Sequence, residues 1–303
     1  MLAHRHQAHA AMVLHTLIIG PGYTFVSWAT SEIEPFTLLW LRFCFSFACF
    51  CAVYLALWQR FPTQRLTRAD SWTFAWLALV GILANQFFFV AGLTYTTPTF
   101  SALIYALSPA GVFLWSVMLL KTERWLWGKI LGLVIAFCGV GVVLAASFQP
   151  HASSTDKPLW LGNLLTACAL VCWSWYLAAS RPLMRRFNPM ILTSLLMILG
   201  TAPYLVAGAW LPFQFDWPSV SAKAWFGLGY LVLVNSVAGY FLTMFAVTRI
   251  TSSQTALYIN LQPIVAMAFS SWYGGEHIPV QVFVGGFLVI TGIFVLNWIS
   301  LTR

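Results

Sequence analysis

Apolar runs long enough to cross a bilayer follow one another along this chain, and no other feature restricts its fold as tightly. Residues 97–143, TPTFSALIYALSPAGVFLWSVMLLKTERWLWGKILGLVIAFCGVGVV, are two such runs joined by a short charged turn at 121–124. Hydrocarbon offers the peptide group no water, so runs of this length become helices that satisfy their own backbone, and this pair reads as a helical hairpin. The rest of the chain agrees. It is 60% hydrophobic and 7% charged, with a mean hydropathy of +0.83, which leaves too little polar surface to solvate a 303-residue globule.

The hairpin occurs twice. A shift of 154 positions carries Ala102, Leu103, Leu107 and Pro109 onto Ala256, Leu257, Leu261 and Pro263. With one residue dropped in the turn, Glu123, Gly132, Gly139 and Val142 fall on Glu276, Gly285, Gly292 and Val295. Apolar letters match by chance in membrane proteins, so the proline, the turn glutamate and the spaced glycines carry the weight. The pattern resembles the EamA-type repeat of the drug/metabolite transporter superfamily. Within it, the length and layout look most like the YddG-type exporters of aromatic amino acids. The resemblance implies a first repeat over 1–150 and a second over 159–303.

Ten spans can be drawn, each of about 20 residues. They fall near 11–30, 35–58, 71–93, 98–120, 125–147, 159–179, 189–211, 225–247, 252–273 and 279–301. With the N-terminus inside, inner segments hold Arg5, Arg60, Arg65, Arg68, Lys121, Arg124, Lys129, Arg181, Arg185, Arg186, Arg249 and Arg303. Outer loops then hold only Lys157 and Lys223, and Arg42 stays within a span. That bias predicts cytoplasmic termini, and the resemblance implies a bacterial inner membrane. Five spans per repeat is an odd number, so the second half enters from the opposite side. The expected fold is an all-α polytopic membrane protein, ten transmembrane helices in two five-helix inverted repeats, a design suited to alternating access.

Polar side chains inside the spans mark candidate sites, because each needs a partner, water or substrate. Ser101, Tyr105 and Ser108 form one stripe on the fourth span, and its repeat mate carries Thr255, Ile259 and Gln262 with Tyr258 beside them. Asn85 and Gln86 on the third span, and Asn235, Ser236 and Tyr240 on the eighth, are expected to face the same cavity. Trp173 on the sixth span is a candidate for stacking on an aromatic substrate, against the reading that tryptophans form an interfacial belt. Arg42 either caps carbonyls or holds a substrate carboxylate. Pro21, Gly22, Pro109 and Pro263 are candidate hinges; the mid-span prolines free the carbonyls of Tyr105 and Ile259.

Other constellations point to no chemistry. Cys44, Cys49, Cys51, Cys138, Cys168 and Cys172 all fall in apolar runs, and the Cys168/Cys172 pair is too small a donor set for a metal. HRHQAH at 4–9 reads as an exposed tail, and His15 as an interfacial histidine. The net charge of +8 lies in loops flanking spans, so nucleic acid is not an expected partner. An intramembrane enzyme, the rival from another class, needs convergent catalytic groups, and no HExxH or GxSxG motif is present. No cofactor is expected. Lipophilic cations want a buried acid and polyanions several buried bases, so a net-neutral solute fits, with amino acids chosen by the resemblance and other neutral or drug-like metabolites as the alternative. The expected partners are that small molecule and the lipid bilayer.

Overall fold

The structure is a computed structural model and describes residues 2–58, 68–118, 121, 127–146, 158–184, 186–214, 216–247, 249, 258, 261–276 and 278–301. The described residues form helices and connecting turns, with no strand among them. In chain order the helices are α1 (Leu2–Thr30), α2 (Pro35–Trp58), α3 (Arg68–Trp76), α4 (Asn85–Leu93), α5 (Pro98–Tyr105), α6 (Ser108–Met118) and α7 (Trp127–Ala146). There follow α8 (Leu159–Met184), α9 (Pro189–Ala207), α10 (Leu211–Gln214), α11 (Ala222–Gly229), α12 (Gly239–Val247), α13 (Gln262–Trp272) and α14 (Val280–Leu301). Six helical stretches are long and apolar enough to cross a membrane, and three shorter apolar ones accompany them. Trp127, Phe213, Val280 and Phe287 are among the large apolar side chains left on the outer surface, where lipid replaces the protein core as their apolar neighbour.

The helix starts follow from local chemistry. Pro35, Pro98 and Pro189 each stand at a first helical position, where a missing N–H costs nothing. Glu34 accepts from the Thr37 N–H, Thr97 from Phe100 and Asn188 from Met190, so each start also satisfies an orphan donor. Two expectations need correction. The HRHQAH segment is not a free tail: α1 begins at Leu2, because Ala8 and Met12 bury against Ala246 and the His9 ring lies 3.0 Å from the Tyr258 hydroxyl. Nor is the fourth span continuous. It breaks after Tyr105 and restarts at Ser108, with Pro109 in the first turn of α6. In the ninth span α13 begins at Gln262, with Pro263 in its first turn.

The third and eighth spans carry an unexpected feature. Between α3 and α4 the chain winds as a π-helix over Leu77–Ala84, and between α11 and α12 over Tyr230–Ala238. The two segments lie at matching positions of the repeat. A π turn misdirects carbonyls, and here side-chain hydroxyls receive them: Tyr204 donates to the Leu83 carbonyl at 3.2 Å and Ser236 to that of Leu231 at 2.9 Å.

Close approaches between helices also come in matched pairs. Gly20 lies against Val265, and the positions shifted by 154 repeat the contact as Ser174 against Gly111. Gly22 lies against Asn235, repeated as Tyr176 against Gly81. Helices α7 and α14 meet along their glycines, where a β-carbon on Gly132 would sit 2.7 Å from the Gly292 carbonyl oxygen and one on Gly139 as close to that of Gly285. An early glycine meets a late one in both pairs, so α7 and α14 run antiparallel.

The two ends of the bundle are tied by different clasps. At one, Arg186 donates from two nitrogens to the Asp70 carboxylate, at 2.7 and 3.1 Å. At the other, Glu32 accepts from the Ser221 hydroxyl and the Ser221 N–H, both at 2.6 Å, at the start of α11. Positions 32 and 186 differ by the repeat shift. Each clasp ties the loop after the first span of one repeat to the start of the third span of the other.

Candidate functional site

A continuous hydrogen-bond chain crosses the middle of the bundle and joins residues from five spans. It starts at Arg42 on α2, which is 8% exposed. Its Nε donates to Ser236 Oγ at 3.1 Å and one Nη to Gln86 Oε1 at 2.8 Å. A guanidinium only donates, so Gln86 must turn its oxygen toward Arg42 and its amide nitrogen toward Asn85 Oδ1, at 3.2 Å. That in turn leaves the Asn85 nitrogen to donate, and it reaches both the Tyr105 hydroxyl and the Ala169 carbonyl at 2.8 Å. One fixed charge therefore orients every amide downstream of it.

At the far end, the Tyr105 ring stands edge-on to Phe89 at 5.2 Å and to Tyr23 at 6.4 Å, and Tyr23 is edge-on to Phe89 at 5.6 Å. These tilted contacts are the geometry in which aromatic quadrupoles attract. At the near end a cavity of about 20 Å³, room for one water by the usual criterion, opens beside Arg42, Gln86, Ser236 and Ser46. Phe43, Phe50 and Met197 form its apolar wall. Ser46 is 3% exposed and its hydroxyl has no hydrogen-bond partner among the described residues.

Among the sequence candidates, Arg42, Asn85, Gln86 and Tyr105 come together, and Ser236 joins them. Ser108 sits beside this group, but its hydroxyl donates to the Tyr105 carbonyl at 2.5 Å. The carbonyl expected to be freed by Pro109 thus has a local partner, supplied by the residue before the proline. Ser101 is fully buried with an unpartnered hydroxyl. Trp173 stands apart, stacked on Tyr176 at 5.3 Å. Tyr258 lies toward the start of α1, where its carbonyl accepts from Thr16 at 2.9 Å. Gln262 opens α13 and is partly buried. The Tyr240 side chain, Thr255 and Ile259 lie outside the described residues.

Helix α1 runs unbroken through Pro21, although the Ile18 carbonyl opens enough to accept from the Tyr230 hydroxyl at 2.8 Å. Gly22 permits the approach of Asn235. Trp28 packs with Phe25 and Tyr273 and lies 4.1 Å beneath the Lys223 ammonium, which is the interfacial arrangement. Ser46 and the π segments join the candidates only in the folded chain. Position 46 lies one helical turn from Arg42 on the same face, a spacing that was legible.

Comparison with known proteins now bears on this geometry. The family model described as EamA-like transporter family matches twice, over residues 7–145 and 160–298. An "Uncharacterized transporter YyaM" of Bacillus subtilis is 27% identical over 75% of this chain and 73% of its own length. The "Uncharacterized inner membrane transporter YhbE" of Escherichia coli is 26% identical over 86% of this chain and 81% of its own. A solved structure described only as "Crystal structure of protein" shares the fold, with a TM-score of 0.62 and 18% identity over 98% of this chain and 99% of that one. With two matched repeats spanning nearly the whole sequence, the chain belongs to the EamA-like transporter family and is a multi-pass membrane transporter.

Proposed function

We propose that the protein exports net-neutral amino acids, aromatic ones included, by alternating access between two inverted five-helix repeats, 1–150 and 159–303. The observation that carries this reading is the pairing of contacts across the repeat shift. Gly20 with Val265 answers Ser174 with Gly111, and Gly132 with Gly292 answers Gly285 with Gly139. Two halves related in this way exchange roles when the bundle rocks, so an opening at one end converts to its mirror at the other. The break in the fourth span and the matching π segments supply the deformable places. Ten spans with both termini cytoplasmic follow from the same reading together with the basic-residue bias, in a bacterial inner membrane.

The site centres on Arg42, Asn85, Gln86 and Tyr105, with Ser101 and Ser108 beside them and Tyr240, Tyr258, Gln262 and Trp173 as contacts in other states of the cycle. Amides and hydroxyls around a single cation suit a solute without net charge better than a lipophilic cation. The carrier acts as a facilitator that moves substrate down its gradient. Proteoliposomes loaded with labelled phenylalanine test this reading, with saturable efflux expected down a gradient and no accumulation driven by an imposed pH step. If another neutral metabolite moves and no amino acid does, the amino-acid assignment is wrong. Reporter fusions after Arg303 and within 148–158 should fall on opposite sides, and same-side signals would remove the inverted arrangement.

A further inference from the structure

We propose that Arg42 and Ser46 form the subsite for the substrate's carboxylate, an assignment that rests on the amino-acid reading above. Positions 42 and 46 are one turn apart on α2, so both side chains leave the same face and both line the same cavity. Ser46 is the decisive residue. A buried hydroxyl with no partner in this structure is costly to keep, and this one borders a space that ends at a guanidinium. An anion placed there receives the Ser46 O–H and a charge-assisted bond from Arg42 together.

The other neighbours set the orientation and the class of ligand. Ser236 and Gln86 each take one N–H of Arg42 and hold the plane of its guanidinium from two sides. Ser236 can do so because its own proton is committed to the Leu231 carbonyl, a bond that follows the π winding of that segment. The cavity of about 20 Å³ is far too small for a whole amino acid, so only one small end of the ligand reaches Arg42 and Ser46. Arg42 is the one cationic side chain lining it, which favours a monoanion over a phosphate. An ammonium group is repelled from this end. Phe43, Phe50 and Met197 wall the cavity with apolar surface, and the low local dielectric strengthens such a bond. Gln86 belongs both to the cavity and to the hydrogen-bond chain, so occupancy is felt at Asn85 and Tyr105.

The test uses purified full-length protein in detergent and reads binding by thermal shift with phenylalanine, phenylalaninamide, phenethylamine and 3-phenylpropionate. The two carboxylates should stabilise the parent protein, and the amide and amine should not. Ser46→Ala should weaken both carboxylates by about tenfold without lowering the melting temperature of the empty protein, because that hydroxyl has no bond to lose. Arg42→Lys should weaken them several-fold, and Arg42→Gln should erase the difference between phenylalanine and its amide. Equal binding of phenylalanine and phenylalaninamide by the parent overturns the subsite, as does unchanged carboxylate affinity in Ser46→Ala and Arg42→Lys. If Arg42→Gln does not fold, these two variants decide. The two readings fail separately. Parent liposomes that transport no amino acid, with 3-phenylpropionate still binding in a Ser46-dependent way, defeat the exporter reading alone. Phenylalanine transport at parental rate and affinity in Ser46→Ala and Arg42→Lys defeats the subsite alone.

Discussion

Arg42 illustrates how one residue sets the chemistry of its surroundings. Its guanidinium cannot accept a hydrogen bond, so the orientations of Gln86 and Asn85 follow from it, and the chain ends on the Tyr105 hydroxyl. Replacing Tyr105 by Phe removes the last acceptor while leaving the ring contacts with Tyr23 and Phe89 in place. One proton of the buried Asn85 amide is then unpaired, although the bond to the Ala169 carbonyl survives. The expected cost is about 1–3 kcal/mol, read as a lower melting temperature in detergent. An unchanged melting temperature would mean that Asn85 has found another acceptor and that the chain is not a structural unit.

Elements in this bundle meet where side chains are smallest. Helices α7 and α14 touch backbone to backbone at Gly132 and Gly292 and again at Gly139 and Gly285, contacts that van der Waals attraction alone must supply in lipid. A leucine at Gly132 would drive its β-carbon into the Gly292 carbonyl, so Gly132→Leu is expected to separate the pair and destabilise by roughly 1–3 kcal/mol or more. Gly141 lies on the same helix with nothing within 4 Å of an added β-carbon, so Gly141→Ala should be neutral or slightly stabilising. Thermal melts of the two variants side by side check the packing. Equal effects of the two substitutions would show that the Gly132–Gly292 crossing does not hold the pair together.

At the scale of the molecule, the Asp70–Arg186 and Glu32–Ser221 clasps tie opposite ends of the bundle. The hydrogen bond from the Ser221 hydroxyl, then that from its backbone N–H, with Lys223 nearby, hold the Glu32 carboxyl below the usual carboxylate range. A carboxyl depressed in the folded state contributes fully above its unfolded value, and the contribution disappears as pH falls through the folded one. The Glu32 clasp is therefore complete at neutral pH and loosens only in acid below the ordinary carboxylate range. Glu32→Gln mimics that acid state, and faster amide hydrogen exchange at Ser221 is expected at neutral pH, with no change near Asp70. Asp70→Asn should do the converse at its own end. Exchange that rises at both ends in either variant would mean that the clasps do not act separately.

The all-helical membrane-spanning class, the duplication and the polar character of Arg42, Asn85, Gln86 and Tyr105 within apolar runs were legible in the sequence. Lipid imposes helices on any long apolar run, and a polar residue within such a run is conspicuous because it requires a partner. Pro109 marked the break in the fourth span for the same local reason, since a proline removes an N–H from the backbone ladder. What the sequence left open was who meets whom. Arg42 and Ser236 are 194 residues apart, and their bond exists because α2 packs against the π segment of the eighth span. The π segments have no composition of their own; Tyr204 meets the Leu83 carbonyl of one only once α9 has packed against it, while Ser236 meets the Leu231 carbonyl within the other. Side-chain pairing across helices is decided by crossing geometry, and that geometry belongs to the tertiary structure alone.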